Sequence, residues 1–150
     1  MKRSSLLFLV AGFFLVALRL TASDSMTMKG DMKDEILSSY VKVSAALAAD
    51  DLAAAKTSAA MVAEHADMSE AHEAIATKAK LVAQAKDIKA ARDGFKSLSA
   101  AIEPLAAGEK AYVVMYCPMA NADWVQTSKD VKNPYYGKAM LTCGGPKETK

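Results

Sequence analysis

The residues best suited to chemistry lie near the C-terminus, where methionines accompany the only two cysteines of the chain. Cys117 is followed two positions later by Met119, and Met140 precedes Cys143 by three positions. Thiolate and thioether sulfur are the donors that suit soft metal ions such as Cu(I) and Ag(I). The spacing therefore predicts a candidate metal site whose ligands are Cys117, Met119, Met140 and Cys143.

The same two cysteines also form the only pair that could close a disulfide. A bond between Cys117 and Cys143 would enclose about 27 residues, and chain entropy then predicts about 3.5 kcal/mol of stabilisation. Under this interpretation Met119 and Met140 are packing residues. The two interpretations require different oxidation states of the same thiols, and the sequence leaves both open.

Two histidines and two methionines form a second, weaker pattern at helical spacing. They are Met61, His65, Met68 and His72. On one continuous helix they would line one face, but Asp67 and Ser69 are residue types that cap helices and predict a break there. We therefore expect solvated or partly buried histidines. Zinc is disfavoured because no cysteine and histidine cluster is closely spaced.

Motifs for catalysis are missing from the sequence. There is no nucleophile elbow, no HExxH pair and no glycine-rich phosphate loop. We therefore expect a binding protein and not an enzyme.

The N-terminus is typical of a secretory signal peptide, predicted over residues 1–23. Lys2 and Arg3 precede the apolar run 6–18, and small residues follow at 21–23. An uncleaved anchor is the alternative, although the apolar run is short for a bilayer span. Cleavage predicts a periplasmic or otherwise exported protein without a membrane segment. It removes three of the 19 basic residues and none of the 17 acidic ones, so no basic patch suggests nucleic acid.

The segment 24–32 is polar, without an apolar period, and predicts a flexible tail. It carries Met26, Met28 and Met32, which could collect soft metal ions before the main site.

The remaining domain, residues 33–148, begins with an alanine-rich region of helical periodicity. Asp50 or Asp51 predicts the start of a second helix. An Asp67–Glu70 capping box, or Ser69 as the alternative cap, predicts a third that begins near residue 69, and Gly108 predicts the end of a fourth. We therefore predict an all-α fold, an antiparallel bundle of about four helices with a loop-rich C-terminal cap. Phe95 is expected to point into the core.

The cap starts with "AYVVMY", whose β-branched and aromatic residues predict a strand or extended segment. Proline and glycine divide the rest into turns, and most of the aromatic residues lie here. We expect Trp124 and the tyrosines to pack the cap onto the bundle.

Three stretches, "FKSLSAAIEPL", "YCPMANADWVQ" and "NPYYGKAMLTCGG", resemble a bacterial exported domain of unknown function. That family also occurs attached to the periplasmic adaptor (membrane-fusion) subunits of copper and silver efflux systems. The resemblance covers roughly residues 33–148. Its motif positions are Cys117, Pro118, Met119, Trp124, Asn133, Pro134, Tyr135, Tyr136, Gly137, Met140, Leu141, Cys143 and Gly144.

The resemblance implies a helical bundle, heavy-metal handling and an efflux adaptor as the partner. The leading hypothesis is a periplasmic protein that captures Cu(I) or Ag(I). The alternative is a structural or protein-interaction domain stabilised by a Cys117–Cys143 disulfide.

Overall fold

The computed structural model describes residues 23–148, with side chains from Met32 onward. The predicted signal segment therefore lies outside the described residues, apart from Ser23. The chain forms four helices and then three short strands. They are α1 (Ser23–Ala48), α2 (Leu52–Asp67), α3 (Glu73–Ala83), α4 (Ile88–Ala106), β1 (Val113–Cys117), β2 (Ala122–Gln126) and β3 (Gly145–Pro146). Within the described part of the chain, no helix has both the length and the apolar character to cross a membrane.

The four helices pack as an antiparallel bundle, as the sequence predicts, and aspartates define two of the helix starts. The carboxylate of Asp51 accepts the Ala54 N–H at 2.9 Å, and that of Asp87 accepts the Ala90 N–H at 2.7 Å. Each bond satisfies a backbone donor that the first turn of a helix leaves free. The predicted start at Asp51 is confirmed.

The third helical segment begins at Glu70, close to the predicted position near residue 69, but the capping box does not form. Asp67 ends α2, and its carboxylate pairs with Lys80 at 2.5 Å. A 3-10 turn, Glu70–His72, precedes α3, and the Ser69 side chain makes no capping bond. The predicted Asp67–Glu70 capping box is therefore wrong, because the Asp67 carboxylate pairs with Lys80 of α3 and does not cap a helix.

The core of the bundle combines a few large side chains with alanines where the helices approach. Phe95 is fully buried and stacks on Tyr40 at a centroid distance of 5.2 Å, so its predicted inward orientation is confirmed. The other large residues at zero exposure in the helices are Ile36, Leu37, Val43, Leu47, Val62, Val82, Leu98 and Ile102. Removing such apolar surface from water is the main stabilising contribution to the bundle.

The prediction of an all-α fold is wrong in the cap, where three strands form an antiparallel sheet in the order β2-β1-β3. Val113 pairs with Gln126, Cys117 with Ala122, and Met115 with Pro146. The β-branched start of β1 fits the pleated surface. The residues of β2 show no such signal, and their pairing comes from the tight turn that follows Cys117.

Aromatic side chains join the sheet to the bundle, as expected. Tyr135 lies 5.8 Å from Phe95 and 6.0 Å from Trp124, the latter in an edge-on arrangement. The Tyr40 hydroxyl contacts Ser99 Oγ at 2.7 Å and accepts the Val125 N–H of β2 at 3.3 Å. This continuous row makes the cap part of the same folded unit as α1 and α4.

The predicted tail, residues 24–32, is helical in its backbone, because α1 begins at Ser23. Met32, at its end, packs against the core. The flexibility predicted for residues 24–32 stays a prediction, and the structure adds that their backbone continues α1.

Candidate metal centre

The two cysteines meet at the surface of the cap as reduced thiols. Their sulfur atoms lie 3.6 Å apart. Cys117 ends β1 and is fully buried, whereas Cys143 lies in a turn and is partly exposed. Two residues 26 positions apart thus share one site, as both sequence interpretations require.

Tight turns place each sulfur. After Cys117 the chain reverses, with the Asn121 N–H donating to the Pro118 carbonyl at 3.3 Å and Asn121 at φ 46°. This turn directs the Ala120 N–H toward the Cys117 sulfur at 3.4 Å. A second turn forms where the Cys143 N–H donates to the Met140 carbonyl at 3.1 Å.

Gly144 lets the chain leave Cys143 in a direction that other residues could not take. Its φ is 113°, and a Cβ there would lie 2.6 Å from the Tyr116 carbonyl oxygen and 3.0 Å from Trp124. The close approach to β1 keeps the Cys143 sulfur beside Cys117.

Asn133 is fully buried and connects the turn that carries Cys143 to the turn that begins at Pro134. Its side-chain N–H donates to the Cys143 carbonyl at 2.7 Å, and its side-chain oxygen accepts the Tyr135 N–H at 2.8 Å. Its backbone N–H donates to the Leu141 carbonyl at 2.7 Å. One of the turns predicted from proline and glycine forms at Asn133-Pro134 and Gly137, where Gly137, at φ 55°, donates its N–H to the Asn133 carbonyl. The link from Asn133 to the thiol site was not predicted.

Arg92 fixes the cap to the bundle, and sequence reasoning missed it. Its guanidinium contacts Asp50 Oδ1 at 2.5 Å, the Leu47 carbonyl at 3.0 Å and the Pro134 carbonyl at 2.9 Å. The other Asp50 oxygen accepts the Lys138 N–H at 3.2 Å. The sequence could have indicated its importance, because Arg92 is the single arginine after residue 19. Its forked donors suit several acceptors at once.

The two thiols differ in their affinity for a proton. Burial raises the pKa of Cys117, but hydrogen bonds from the Ala120 N–H, the Asn133 side chain and Cys143 outweigh it and hold that pKa below its usual value. The hydrogen bond to Cys117, together with burial, raises the pKa of the Cys143 thiol. Cys117 is therefore the thiol of the pair that loses its proton first as the pH rises.

The methionines of the predicted site are more exposed than the thiols. Met119 is 61% exposed and borders a cleft of about 360 Å³ that Arg92, Lys96 and Tyr135 also line. Met140 is partly exposed in the turn before Cys143. Both are sequence neighbours of the sulfur pair, but the contact that the structure records is between the two cysteines.

The methionines of segment 24–32 lie toward the other end of α1. Lys33 pairs with Glu109, beyond the end of α4, whereas Leu47 contacts Arg92. At 1.5 Å per residue, Lys33 and Leu47 are about 21 Å apart along the helix. The predicted collecting segment is therefore remote from the bundle end where Arg92 holds the cap.

The histidines do not join the site. His65 contacts Glu35 Oε2 at 3.0 Å and Ser39 Oγ at 3.5 Å, on α1. His72 is buried beside α3, and its Nδ1 has no hydrogen-bond partner. The predicted helix break at Asp67 is confirmed. Over residues 23–148, no group of three or more His, Cys, Asp or Glu side chains is arranged to hold a metal.

The sulfur separation limits which metal geometry the thiols could support. With a metal–thiolate bond of about 2.3 Å, sulfurs 3.6 Å apart subtend about 103° at the ion. A linear two-coordinate ion would need about 4.6 Å at the same bond length. The observed spacing thus suits three or four ligands, of which the cysteines supply two.

Fold and site together define a small helical-bundle protein whose β-sheet cap carries a pair of reduced thiols. A family model described as "Protein of unknown function (DUF3347)" matches residues 36–112. The chain belongs to this family. The match covers the bundle and ends directly before β1, so it does not include the cysteines. No curated protein and no solved structure matches the chain.

Proposed function

We propose that this protein is an exported, non-enzymatic binding protein for Cu(I) or Ag(I), which it captures in the cap. The observation that carries the proposal is the contact between the Cys117 and Cys143 sulfur atoms at 3.6 Å. Thiolate sulfur is the strongest soft donor that a protein offers to these ions. The low pKa of Cys117 favours the deprotonated form that a metal requires.

Met119 and Met140 are the proposed third and fourth ligands. The sulfur separation suits more than two ligands, and both thioethers lie within three residues of a cysteine along the chain. Met119 has a flexible side chain at an exposed position, so it can turn toward an ion without disturbing the core.

The proposal extends to transfer of the ion to a periplasmic efflux adaptor. Support comes from the resemblance of the cap motifs to domains attached to such adaptors. The predicted signal segment supports export.

Competition for Cu(I) tests the proposal directly. The mature protein, under reductant and without oxygen, competes with a chromogenic Cu(I) chelator, alongside Cys117→Ser and Cys143→Ser. We expect the parent to remove Cu(I) from the chelator and each variant to lose at least about a hundredfold in affinity, equivalent to about 2.7 kcal/mol. Thermal melts of the apo proteins show whether the variants fold. A folded parent that leaves the chelator fully loaded would refute the proposal.

A structural domain with a permanent disulfide is the second candidate, and the same sulfur contact favours it. Intact mass of the unreduced mature protein, with and without alkylation, separates the two. Free thiols, or a bond that mild reductant opens, support metal capture. A quantitative disulfide that resists mild reductant supports the structural role.

A further inference from the structure

The two sulfur atoms differ in how freely they can move. A disulfide has a sulfur–sulfur length of about 2.05 Å, so the pair would have to approach by about 1.6 Å. Cys117 is held in β1, with β2 paired along its whole length. Cys143 lies in a turn between Met140 and two glycines, so the approach falls mainly to Cys143.

The two sulfur atoms also differ in their access to solvent. Cys117 is fully buried, so a molecule from solution cannot reach it directly. Cys143 is partly exposed. Next to it in the chain, Gly144 borders an open groove of about 610 Å³, lined also by Tyr116, Pro118 and residues 145–148. Of the two thiols, the partly exposed Cys143 is therefore the one that a small disulfide-bearing molecule can reach from solution.

We propose that Cys117 and Cys143 form a thiol–disulfide couple that exchanges with low-molecular-weight disulfides such as oxidised glutathione, with Cys143 reacting first and Cys117 closing the bond. The geometry supports this order. The Cys117 sulfur is buried and lies 3.6 Å from the Cys143 sulfur, so it is already beside the sulfur that the closing step must attack.

The reaction balances in two exchange steps. Cys143 gives its proton to solvent, and its sulfur attacks one sulfur of the external disulfide, forming a mixed disulfide and releasing one thiolate. Cys117 then gives its proton to solvent, and its sulfur attacks the Cys143 sulfur, forming the Cys117–Cys143 bond and releasing the second thiolate. Two protein thiols are oxidised by two electrons, and one external disulfide is reduced to two thiols after protonation.

This couple would regulate the proposed metal site, and in that respect the inference rests on the proposed function. The oxidised form has no thiolate for an ion, so an oxidising environment would prevent capture. The exchange itself needs no metal, so its test is independent of metal binding.

The test is a redox titration of the mature protein without oxygen, with a chelator present and no added metal. Samples equilibrate at graded ratios of reduced to oxidised glutathione, are alkylated, and are weighed by intact mass spectrometry. We expect a reversible two-electron transition to the internal disulfide, with little mixed disulfide accumulating. A chain that stays reduced in excess oxidised glutathione, or that stays oxidised in excess reduced glutathione, would overturn the proposal.

The order of attack is tested with the single serine variants. Cys117→Ser retains the exposed thiol without its resolving partner, so it should accumulate a mixed disulfide with glutathione. Cys143→Ser retains only the buried thiol and should form that adduct at least about tenfold more slowly. A brief pulse of oxidised glutathione on the parent, followed by acid quench and peptide mapping, gives the same answer without a substitution. Adducts found on Cys117 would refute the order.

In a final arm the parent, oxidised and then freed of glutathione, is offered Cu(I) without reductant. We expect the oxidised form to lose at least about a hundredfold in Cu(I) affinity relative to the reduced form. Equal binding by both forms would refute regulation while leaving metal capture intact. Failure of the reduced form alone would refute the proposed function but not the exchange.

Discussion

The bundle and the cap are stabilised in different ways. In the bundle, many alanine and aliphatic side chains each contribute a small contact, and most positions have neighbours of the same kind. In the cap, residues 113–148, single side chains such as Asn133 make several unlike contacts at once. A bundle of this type tolerates conservative apolar exchange. The cap loses several contacts with one substitution.

The same two regions also differ in what the family comparison covers. The match to the family covers the bundle, whereas the thiol pair lies outside it. The resemblance described above rests mainly on sequence motifs in the cap, whereas the helices resemble that family only in their apolar pattern. The family match thus supports the assignment of the helical bundle. The proposed metal chemistry of the cap rests on the distance between the two sulfur atoms instead.

The largest expected effect comes from Phe95, which contacts both regions. Replacing Phe95 with Ala removes a fully buried ring that stacks on Tyr40 and contacts Tyr135 of the cap. We expect the free energy of unfolding in urea to fall by about 3–5 kcal/mol. Leu81→Ala, at a position 55% exposed, is the control and should cost less than about 0.5 kcal/mol. A loss below about 1 kcal/mol for Phe95→Ala would contradict the described packing.

The second prediction concerns the connection between cap and bundle at Gly137. A Cβ there would lie 2.1 Å from Asp50 Oδ1 and 2.2 Å from the Arg92 guanidinium. Gly137→Ala should cost about 2–4 kcal/mol, the sum of a left-handed backbone and a steric clash. Gly108→Ala is a matched control, because Gly108 also has a positive φ, of 82°, with no atom within 4 Å of its Cβ position.

The Gly108→Ala variant should lose only about 1 kcal/mol in chemical denaturation, the backbone contribution alone. The difference between the two variants measures the Arg92–Asp50 connection. Equal losses would show that the cap does not depend on it.

The success of the sequence predictions also differs between the bundle and the cap. Helical periodicity, the Asp51 cap and the inward Phe95 depend on residues close in the chain, and those predictions were confirmed. The Arg92 connection depends on Leu47 and Pro134, more than 40 residues away in the chain, so local patterns did not reveal it. The strand β2 pairs with β1 across a short turn, and it was missed because the turn residues were read only as a break.

The candidate site was foreseen in part. Both interpretations of the sequence require Cys117 and Cys143 to be neighbours, and their sulfur atoms lie 3.6 Å apart, but whether they bind a metal stays a prediction. The spacing could not show which thiol is buried, because that depends on β1 pairing on both sides. The predicted roles of Met119 and Met140 stay predictions, since their donor atoms become ligands only when an ion is present.

The third prediction tests whether these methionines are ligands or surface residues. The Met119→Leu, Met140→Leu double variant keeps most of the side-chain volume and should change stability by less than about 1.5 kcal/mol. Its Cu(I) affinity in chelator competition should fall by at least about tenfold, or about 1.4 kcal/mol. Met68→Leu, at an exposed position at the end of α2, is the control and should bind as the parent does.

An unchanged affinity in the double variant would reduce the site to two thiols. The sulfur separation would then have to increase for a linear ion, because 3.6 Å is short for that geometry. The test therefore decides between a preformed site and one that opens on binding.

The smallest effect concerns the protons of the thiol pair. Thiolate absorbance of the reduced apo protein should rise in two steps, the first below the ordinary thiol pKa of about 8.5 and the second above it. Because the hydrogen bond from Cys143 helps to lower the Cys117 pKa, Cys143→Ser, which keeps a hydroxyl donor, should retain a low first pKa. Cys143→Ala has no donor there, so its remaining thiol should titrate at a higher pH than in the serine variant.

The same shifts give the thiol contribution to stability a maximum with pH. The lowered pKa of Cys117 stabilises the fold above about 8.5, and this contribution is lost as pH falls through the folded pKa. The raised pKa of Cys143 acts in the opposite sense, since its contribution is complete below about 8.5 and is lost as pH rises through the folded value. Urea melts from pH 7 to 10 should therefore show a contribution that peaks near the ordinary thiol pKa and disappears in the double serine variant. A parent and double variant with parallel pH profiles would show that the bundle, and not the thiol pair, sets the pH dependence of the cap.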